Sequence, residues 1–335
     1  MTTQNSRPDQ PQLTQQPPVG MPYPPPPPVR SRPRKPRQHW RSQPCRNGCL
    51  GLLLGSVLLL MLPVFLVGML LVVYLLFPPP QQNVIILGLD ARPGEGYTTR
   101  TDAIMLMGVQ PAELRAGLLS IPRDLYLTVP GYGLQRANAV NVLGEMEEAG
   151  RGATLIQEAI TSSFGVIADH YARINFAAFI ALVDALGGID IDVPRQIVDY
   201  QYPTADYGTT TLRFEPGVEH MDGERALAYA RTRHADDDYR RAERQQQVIT
   251  AIGQAMMNPA NWPRIPAVVT AFVEAVDTDM SVGELLLLAP PVVLSTTTGS
   301  LDQIVIDRDY ILLSSGGQAV PNYTALAPWV DANLR

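Results

Sequence analysis

Five arginines and three consecutive aspartates crowd the stretch Tyr229 to Ile252, YARTRHADDDYRRAERQQQVITAI. Guanidiniums are planar, permanently charged donors suited to phosphate oxygens. Arg231 and Arg233 are two apart, on one side of an extended segment but not of a helix. Asp238, Arg241 and Gln245 are spaced by three and then four, so on a helix they form one stripe, and Val248 and Ile252 continue it. A face that is polar at its start and apolar further along predicts a helix with its tail in a core and its first turns at a rim. Such a cluster is either a solvated helix laced with Arg and Asp pairs or a set of cations presented to an anionic ligand.

Other segments supply further parts. The run Val84 to Leu89 is rich in branched residues and ends at Asp90, as a buried strand would. A loop holding Gly94 and Gly96 leads to Arg100 and Asp102, and a second strand is predicted over Ala103 to Val109. If these strands are neighbours, Asp90 and Asp102 share one edge of a sheet. Paired carboxylates there either close strands and cap loops or hold a hard divalent cation such as magnesium, which takes a few oxygens and keeps its waters. A third strand, Leu118 to Ile121, runs into Pro122, Arg123 and Asp124, and Asn138 follows in a loop. Asp90 and Asp102, with Arg92, Arg100, Arg123, Arg231, Arg233 and Arg241, all fall at ends of predicted elements. Two acids for a metal and several arginines for oxygens suit a pyrophosphate, where catalysis is mainly positioning and charge stabilisation.

The elements that position these residues read as a mixed α/β domain. Ile156, Ala159, Ile160 and Ser163 have helical spacing, as do Phe176, Phe179, Ile180 and Val183, whose stripe stops at Gly187 and Gly188 and packs most simply against the sheet. Ile189 to Val193 reads as a strand and Gln201 to Thr211 as a variable loop, and Asp222 can cap the helix leading to Arg231. Beyond Met257, Ile265 to Val276 and Val282 to Leu288 read as helices and Leu301 to Ile306 as an edge strand.

Composition divides the chain. Residues 1–77 hold eight Lys or Arg against Asp9, and the remainder eighteen against thirty-one acids, so the two parts carry +7 and −13. Residues 1–47, rich in Pro and Arg, cannot bury enough apolar surface to order and read as a disordered tail. Leu50 to Phe77 is twenty-eight residues without a charge, long enough as a helix to cross a ~30 Å hydrocarbon layer. We therefore expect a transmembrane helix over 48–77, uncleaved, with a cytoplasmic amino terminus and an extracytoplasmic domain over 78–335. Both cysteines, Cys45 and Cys49, lie within residues 1–77, which leaves the outer part without a disulfide, a thiolate metal site or a cysteine nucleophile. Its histidines, His170, His220 and His234, are too scattered for a zinc-protease helix motif. No Gly-rich phosphate loop ends in Lys, since Lys35 is the only lysine, so a nucleotide-driven kinase is not expected. The basic tail lacks a helix-turn-helix pattern, and no specific nucleic-acid partner is expected.

Residues 83–254 resemble the LytR-CpsA-Psr domain of bacterial envelope enzymes. The resemblance rests on NVIILGLDAR, RTDAIML, SIPRD, FIALVDALGGIDIDVP, PGVEHMDGERALAYARTR and DDDYRRAERQQ, which fall in the family's order. It implies a mixed central β-sheet flanked by helices, behind a single span at the cell membrane. It also implies a phosphotransferase that takes a glycopolymer from a polyprenyl-pyrophosphate carrier and joins it through a phosphodiester to a hydroxyl of peptidoglycan or another wall polysaccharide. By matching position, Asp90 and Asp102 would hold Mg2+, while Arg92, Arg100, Arg123, Arg231, Arg233 and Arg241 would contact phosphate oxygens, supported by Gln245. Asp238 matches an acid that either orients arginines or deprotonates the acceptor, so Arg231, Arg233, Asp238 and Arg241 carry the catalytic assignment. Phe176, Phe179 and Ile180 would border the channel for the polyprenyl chain. Where the family often has glycine before the motif arginine, this chain has Arg240, expected to pair with Asp236 or Asp237. The part after residue 255 matches little. Two other readings stand beside the transferase: a non-catalytic envelope polymer- or lipid-binding protein, and a membrane-tethered transcriptional attenuator.

Overall fold

The computed structural model describes residues 61–62, 65–91, 96–204, 208–232 and 238–335, without the side chain of Asp238. The chain divides into two units, Met1–Leu62 and Pro63–Arg335. Only residues 61 and 62 of the first are described, and both are helical. In the second, residues 65–76 are helical and expose Phe65, Leu70 and Leu76. Among the described residues no helix is long and apolar enough to cross a membrane. Half of the span expected over 48–77, and all of the tail, lie outside the described residues.

The strands are β1 (Gln82–Leu89), β2 (Thr101–Gln110), β3 (Arg115–Ser120), β4 (Tyr126–Val129) and β5 (Gly133–Arg136). Helices α1 (Ala137–Glu147) and α2 (Arg151–Phe164) follow, then β6 (His170–Asn175), α3 (Phe176–Leu186), β7 (Ile189–Val193), β8 (Ile197–Pro203), β9 (Thr209–Phe214) and β10 (Gly217–Met221). Next come α4 (Gly223–Arg231), α5 (Asp238–Met257), α6 (Ile265–Ala275), β11 (Asp277–Thr278), α7 (Val282–Thr298), β12 (Asp302–Val305), β13 (Ile311–Leu313), β14 (Ala319–Pro321) and α8 (Tyr323–Asn333).

A six-stranded sheet in the order β11-β6-β1-β2-β3-β12 forms the centre. It is mixed: β6 runs parallel to β1 and β12 parallel to β3, while β1, β2 and β3 form an antiparallel meander. Both faces are covered, which explains why the central strands are nearly continuous apolar runs rather than alternating ones. Ile104 and Leu106 of β2 join the core beneath α1, α2 and α8. Met105, Met107 and Val109, one step out of phase, face Leu288 of α7 and Ile249 of α5. A third cluster, including Val183, Ile191, Phe214, Tyr229 and Val248, joins α3, β7, β9, α4 and α5 beside the sheet.

Two sequence expectations need correction. Within the segment Gln201 to Thr211, expected as a variable loop, residues 201–203 and 209–211 are strand: β8 and β9 form an antiparallel hairpin with a register shift between Asp199 and Tyr202. Ile197 and Phe214 anchor it in the core, and burial of those two ends outweighs the polar composition between them. Asn138 is not in a loop but buried in the first turn of α1, its backbone N–H donating to the carbonyl of Arg123 at 2.9 Å.

Candidate functional site

Antiparallel pairing of β1 with β2 brings Asp90 and Asp102 to the same end of the sheet, and the Asp90 N–H donates to the carbonyl of Arg100 at 3.3 Å. Both aspartates line a cavity of about 310 Å³ whose wall also includes Arg231, Arg241 and Gln245. Arg231 is the last residue of α4, a helix begun by Asp222, whose side chain accepts from the N–H of Arg225 as an N-cap. Arg241 and Gln245 lie one turn apart near the start of α5. Val248 and Ile252 of the same face line the cavity with the apolar side chains of Ile86, Met105 and Leu182. The polar start and apolar tail expected of this helix are both present.

Charges at the mouth are arranged in pairs. Arg123 Nη1 donates to Asp102 Oδ1 at 2.8 Å and its Nε lies 3.6 Å from Asp124. Arg231 Nη2 is 3.6 Å from Asp90 Oδ1, and its guanidinium sits over the ring of Phe176, 3.9 Å from the centroid, with Tyr202 at 5.9 Å on another side. A cation held against an aromatic face is positioned without being neutralised. Burial raises the Tyr202 hydroxyl above its ordinary pKa, outweighing the opposing pull of Arg231, so it stays a neutral donor. Arg241 is 5 % exposed and, with Asp102, Arg123 and Gln245, also borders a small recess at the mouth.

The structure thus brings together Asp90, Asp102, Arg123, Arg231, Arg241 and Gln245 from five segments of the chain. Phe176 and Phe179 line the same cavity. Ile180 does not: it borders a separate open groove, because a one-residue step along α3 turns its side chain by about 100°. Arg100 is exposed and does not line the cavity, since it meets the site through its backbone. Arg92 and Arg233 lie outside the described residues, as does the side chain of Asp238, whose backbone begins α5. Asp236 and Asp237 are likewise undescribed, and Arg240 forms an ion pair with Glu243 at 2.9 Å.

One residue of the site escaped sequence reasoning, and one arginine of the cluster proved structural. Asp199, fully buried at the irregularity in β8, lines the cavity and accepts from the Thr232 hydroxyl at 2.8 Å and from the N–H of Gln201 at 2.9 Å. It therefore fixes the chain immediately after Arg231. A lone acid in the pattern IVDYQY was the available signal. Arg244 is buried, donating to the carbonyls of Tyr229 at 3.1 Å and Thr232 at 2.5 Å, so it locks the end of α4 against α5 rather than facing a ligand. Among the described residues no group of three or more His, Cys, Asp or Glu could hold a metal ion.

Known proteins share this fold. The LytR_cpsA_psr family matches residues 79–313. The polyisoprenyl-teichoic acid–peptidoglycan teichoic acid transferase TagT of Bacillus subtilis is 35% identical over 173 residues, 51% of each chain. A transferase of the same description, TagU of Oceanobacillus iheyensis, is 31% identical over 180 residues, 53% of this chain and 51% of the relative. The chain thus spans about half the length of the curated relatives it matches. The crystal structure of B. subtilis TagV superposes with a TM-score of 0.59 at 24% identity, covering 76% of this chain and 95% of that one. The structure of TagT bound to LI-WTA superposes with 0.56 at 23% identity, covering 76% and 91%. At these identities the superpositions speak for the fold, and the match over residues 79–313 for descent: the chain belongs to the LytR_cpsA_psr family.

Proposed function

We propose that this protein is a membrane-anchored phosphotransferase that moves a glycopolymer from a polyprenyl-pyrophosphate carrier to a sugar hydroxyl of the cell wall. The observation that carries this reading is one cavity whose lining is mostly apolar and also holds Asp90, Asp102, Arg231 and Arg241. An isoprenoid diphosphate has the matching form. The chain supports it as follows. Phe176, Phe179, Val248 and Ile252 receive the hydrocarbon and exclude water. Arg231 and Arg241, with Arg123 held by Asp102, meet the diphosphate oxygens. The acceptor oxygen attacks the phosphorus that bears the glycan, the bond from that phosphorus to the bridging oxygen breaks, and polyprenyl phosphate leaves. The hydroxyl proton passes to a carboxylate not engaged with the cation, the role for which Asp238 is the candidate. Guanidiniums already in place as charge moves onto the leaving oxygens lower the barrier without reorganising.

For magnesium, two carboxylates on one wall fit a cation that shares its shell with phosphate oxygens and water, although the protein side chains alone do not make a closed cage. Bound by Asp90 and Asp102, it would supply neutralisation of the diphosphate. We infer likewise that residues 48–77 anchor the chain in the cell membrane with the domain outside, where relatives are named for acting on peptidoglycan.

The test uses the full chain in detergent with a polyprenyl-pyrophosphate glycan, a wall oligosaccharide and magnesium. Release of polyprenyl phosphate coupled to glycan transfer is expected. Binding of the donor without release, unchanged in Asp102→Ala, would instead establish a polymer- or lipid-binding protein. A regulatory reading draws on the Staphylococcus aureus relative named Regulatory protein MsrR, 28% identical over 189 residues. It predicts altered transcription on deletion even in a strain carrying a catalytically silent variant.

A further inference from the structure

Helix α7 is apolar on every side. Leu288, Pro291 and Ser295 are buried, Leu288 in the cluster it shares with Val84, Met105 and Met107 of the sheet. The outer side carries Val282, Leu286 and Leu287, which are 42, 55 and 47 % exposed, with Pro290 exposed beside them. The helix's only charged residue, Glu284, is turned back on its own start, where it accepts from the N–H and the hydroxyl of Ser281 at 2.8 Å each. From Leu285 to Leu301 the chain runs seventeen residues without a charge. A helix that is apolar all round is one that leaves water on both faces. Among the described residues, the outer face of α7 stays open.

The neighbouring element indicates what covers it. The Tyr74 hydroxyl donates to the carbonyl of Leu287 at 3.1 Å. Tyr74 belongs to the helical stretch 65–76, whose Phe65, Leu70 and Leu76 are exposed. It lies three residues, about 4.5 Å of helix, from Phe77 at the end of the expected span, and tyrosine favours the boundary between hydrocarbon and headgroups. The sheet is tethered just as closely. Strand β1 begins at Gln82, five residues and so at most about 18 Å of chain beyond Phe77, and its Val84 belongs to the cluster around Leu288. Residues 78–335 carry −13, so attraction to anionic headgroups does not hold the domain down, and apolar side chains must make the contact. A few suffice, because the span already confines α7 to the surface.

We propose that Val282, Leu286 and Leu287 form a membrane seat, which places the outer side of α7 in the outer leaflet of the bilayer that holds the span. This rests on the anchoring of residues 48–77 inferred above and is independent of the transferase chemistry. Ile86, Met105 and Ile249 line the cavity and also belong to the cluster around Leu288, so the seat holds that cavity wall one helix away from the acyl chains.

The test uses the full chain with Cys45→Ser and Cys49→Ser and a bimane label on one introduced cysteine, in phosphatidylcholine–phosphatidylglycerol vesicles carrying doxyl lipids. Leu70→Cys reports the span and Leu286→Cys the seat. Met146→Cys reports water, since Met146 is exposed on α1, across the sheet from α7. Doxyl lipid should remove most of the fluorescence of the first two labels and leave the third bright, and aqueous iodide should do the reverse. A quenched span label with a seat label that behaves like the water label overturns the seat and leaves the anchor. A span label that lipid does not quench overturns the anchoring beneath it. Shielding of the seat label from both quenchers, lost when the protein is diluted in lipid, shows a second copy on this face and overturns the seat as well. Leu286→Glu combined with Leu287→Glu should move a label at Val282→Cys from lipid to iodide quenching. The thermal midpoint in detergent should stay in place, because both leucines are half-exposed. Retained lipid quenching in that variant overturns the proposal.

Discussion

Arg231 borders both openings, faces Asp90 across 3.6 Å and is held over the ring of Phe176. Its replacement is the sharpest single-residue test. Arg231→Ala should lower turnover by roughly 10²–10³, the usual effect of deleting one donor aimed at developing charge, with little change in thermal midpoint because the side chain is partly exposed. Arg231→Lys should recover only part of the rate, since an ammonium lacks the planar fork. Single-turnover release of polyprenyl phosphate measures both, and unaltered rates would count against the assignment. Asp102→Asn removes the charge opposite Arg123, and its stability cost should stay under about 1 kcal/mol for a pair at the rim, whereas activity should fall. The residues just named were legible because their kinds are unusual at strand and helix ends. Asp199 was not, because a carboxylate in a strand gains meaning only from its partner Thr232, and that partner lies on another element.

Two elements must be held at a fixed spacing for the acids to meet, and a buried cluster beside the sheet does this. Arg173 of β6, 3 % exposed, is paired with Glu145 of α1 and Asp277 of β11. Its guanidinium stacks on Tyr97 at 4.3 Å from the centroid, and Asn141 donates to the carbonyls of Tyr97 and Thr99 at 2.8 and 2.9 Å. The chain between Asp90 and Asp102 is thereby tied to α1 and β6. Arg173→Leu would strand two carboxylates and should cost about 3–5 kcal/mol, read as a lower urea midpoint. Burial opposes ionisation of Glu145, but hydrogen bonds from Gly150, Arg173 and Gly152 outweigh it and hold its pKa below the ordinary glutamate value. A depressed folded pKa contributes stability that is complete above the unfolded value and is lost as pH falls through the folded one. Unfolding midpoints should therefore drop on acidification through and below the ordinary glutamate range, and Glu145→Gln should flatten that part of the profile. An equally steep acid limb in the variant would remove Glu145 from the account. The helix α5 was legible in advance, because a stripe spaced three and four survives any tertiary context. The β8–β9 hairpin was not, because its polar middle hides two anchored ends.

Across the whole molecule, the last helix closes the fold. Gly108 of β2 and Gly117 of β3 lie directly beneath its end: a Cβ on Gly108 would sit 2.0 Å from the Asn333 carbonyl oxygen, and one on Gly117 2.6 Å from Asn333 Cβ. Asn83 and Gln110 donate to the carbonyls of Leu334 and Ala332 at 3.0 and 2.8 Å, while Leu326, Val330 and Leu334 enter the main core. Gly108→Ala should destabilise by about 1–3 kcal/mol through overpacking against backbone that cannot turn away, measured by denaturant titration. Gly131→Ala should strain only its own φ of +79°, since nothing lies within 4 Å of the added atom. At this scale the ligand also reports on the fold: farnesyl diphosphate at about a hundred times its Kd should add roughly 2.7 kcal/mol, and Val248→Asp, which puts a charge in the apolar wall, should abolish the gain.

By itself the sequence determined the kinds of chemistry available, the buried strands, the face of α5, and the absence of cysteine or lysine chemistry beyond residue 77. These follow from local spacing and composition, which the rest of the chain cannot alter. Only the tertiary structure decided that Asp90, Asp102, Arg123, Arg231 and Arg241 share one mouth, that Ile180 and Arg100 stand outside the cavity, and that Arg244 serves the backbone. Those outcomes depend on pairing between segments far apart in the chain, where the burial of both partners, and not the preference of either, sets the free energy.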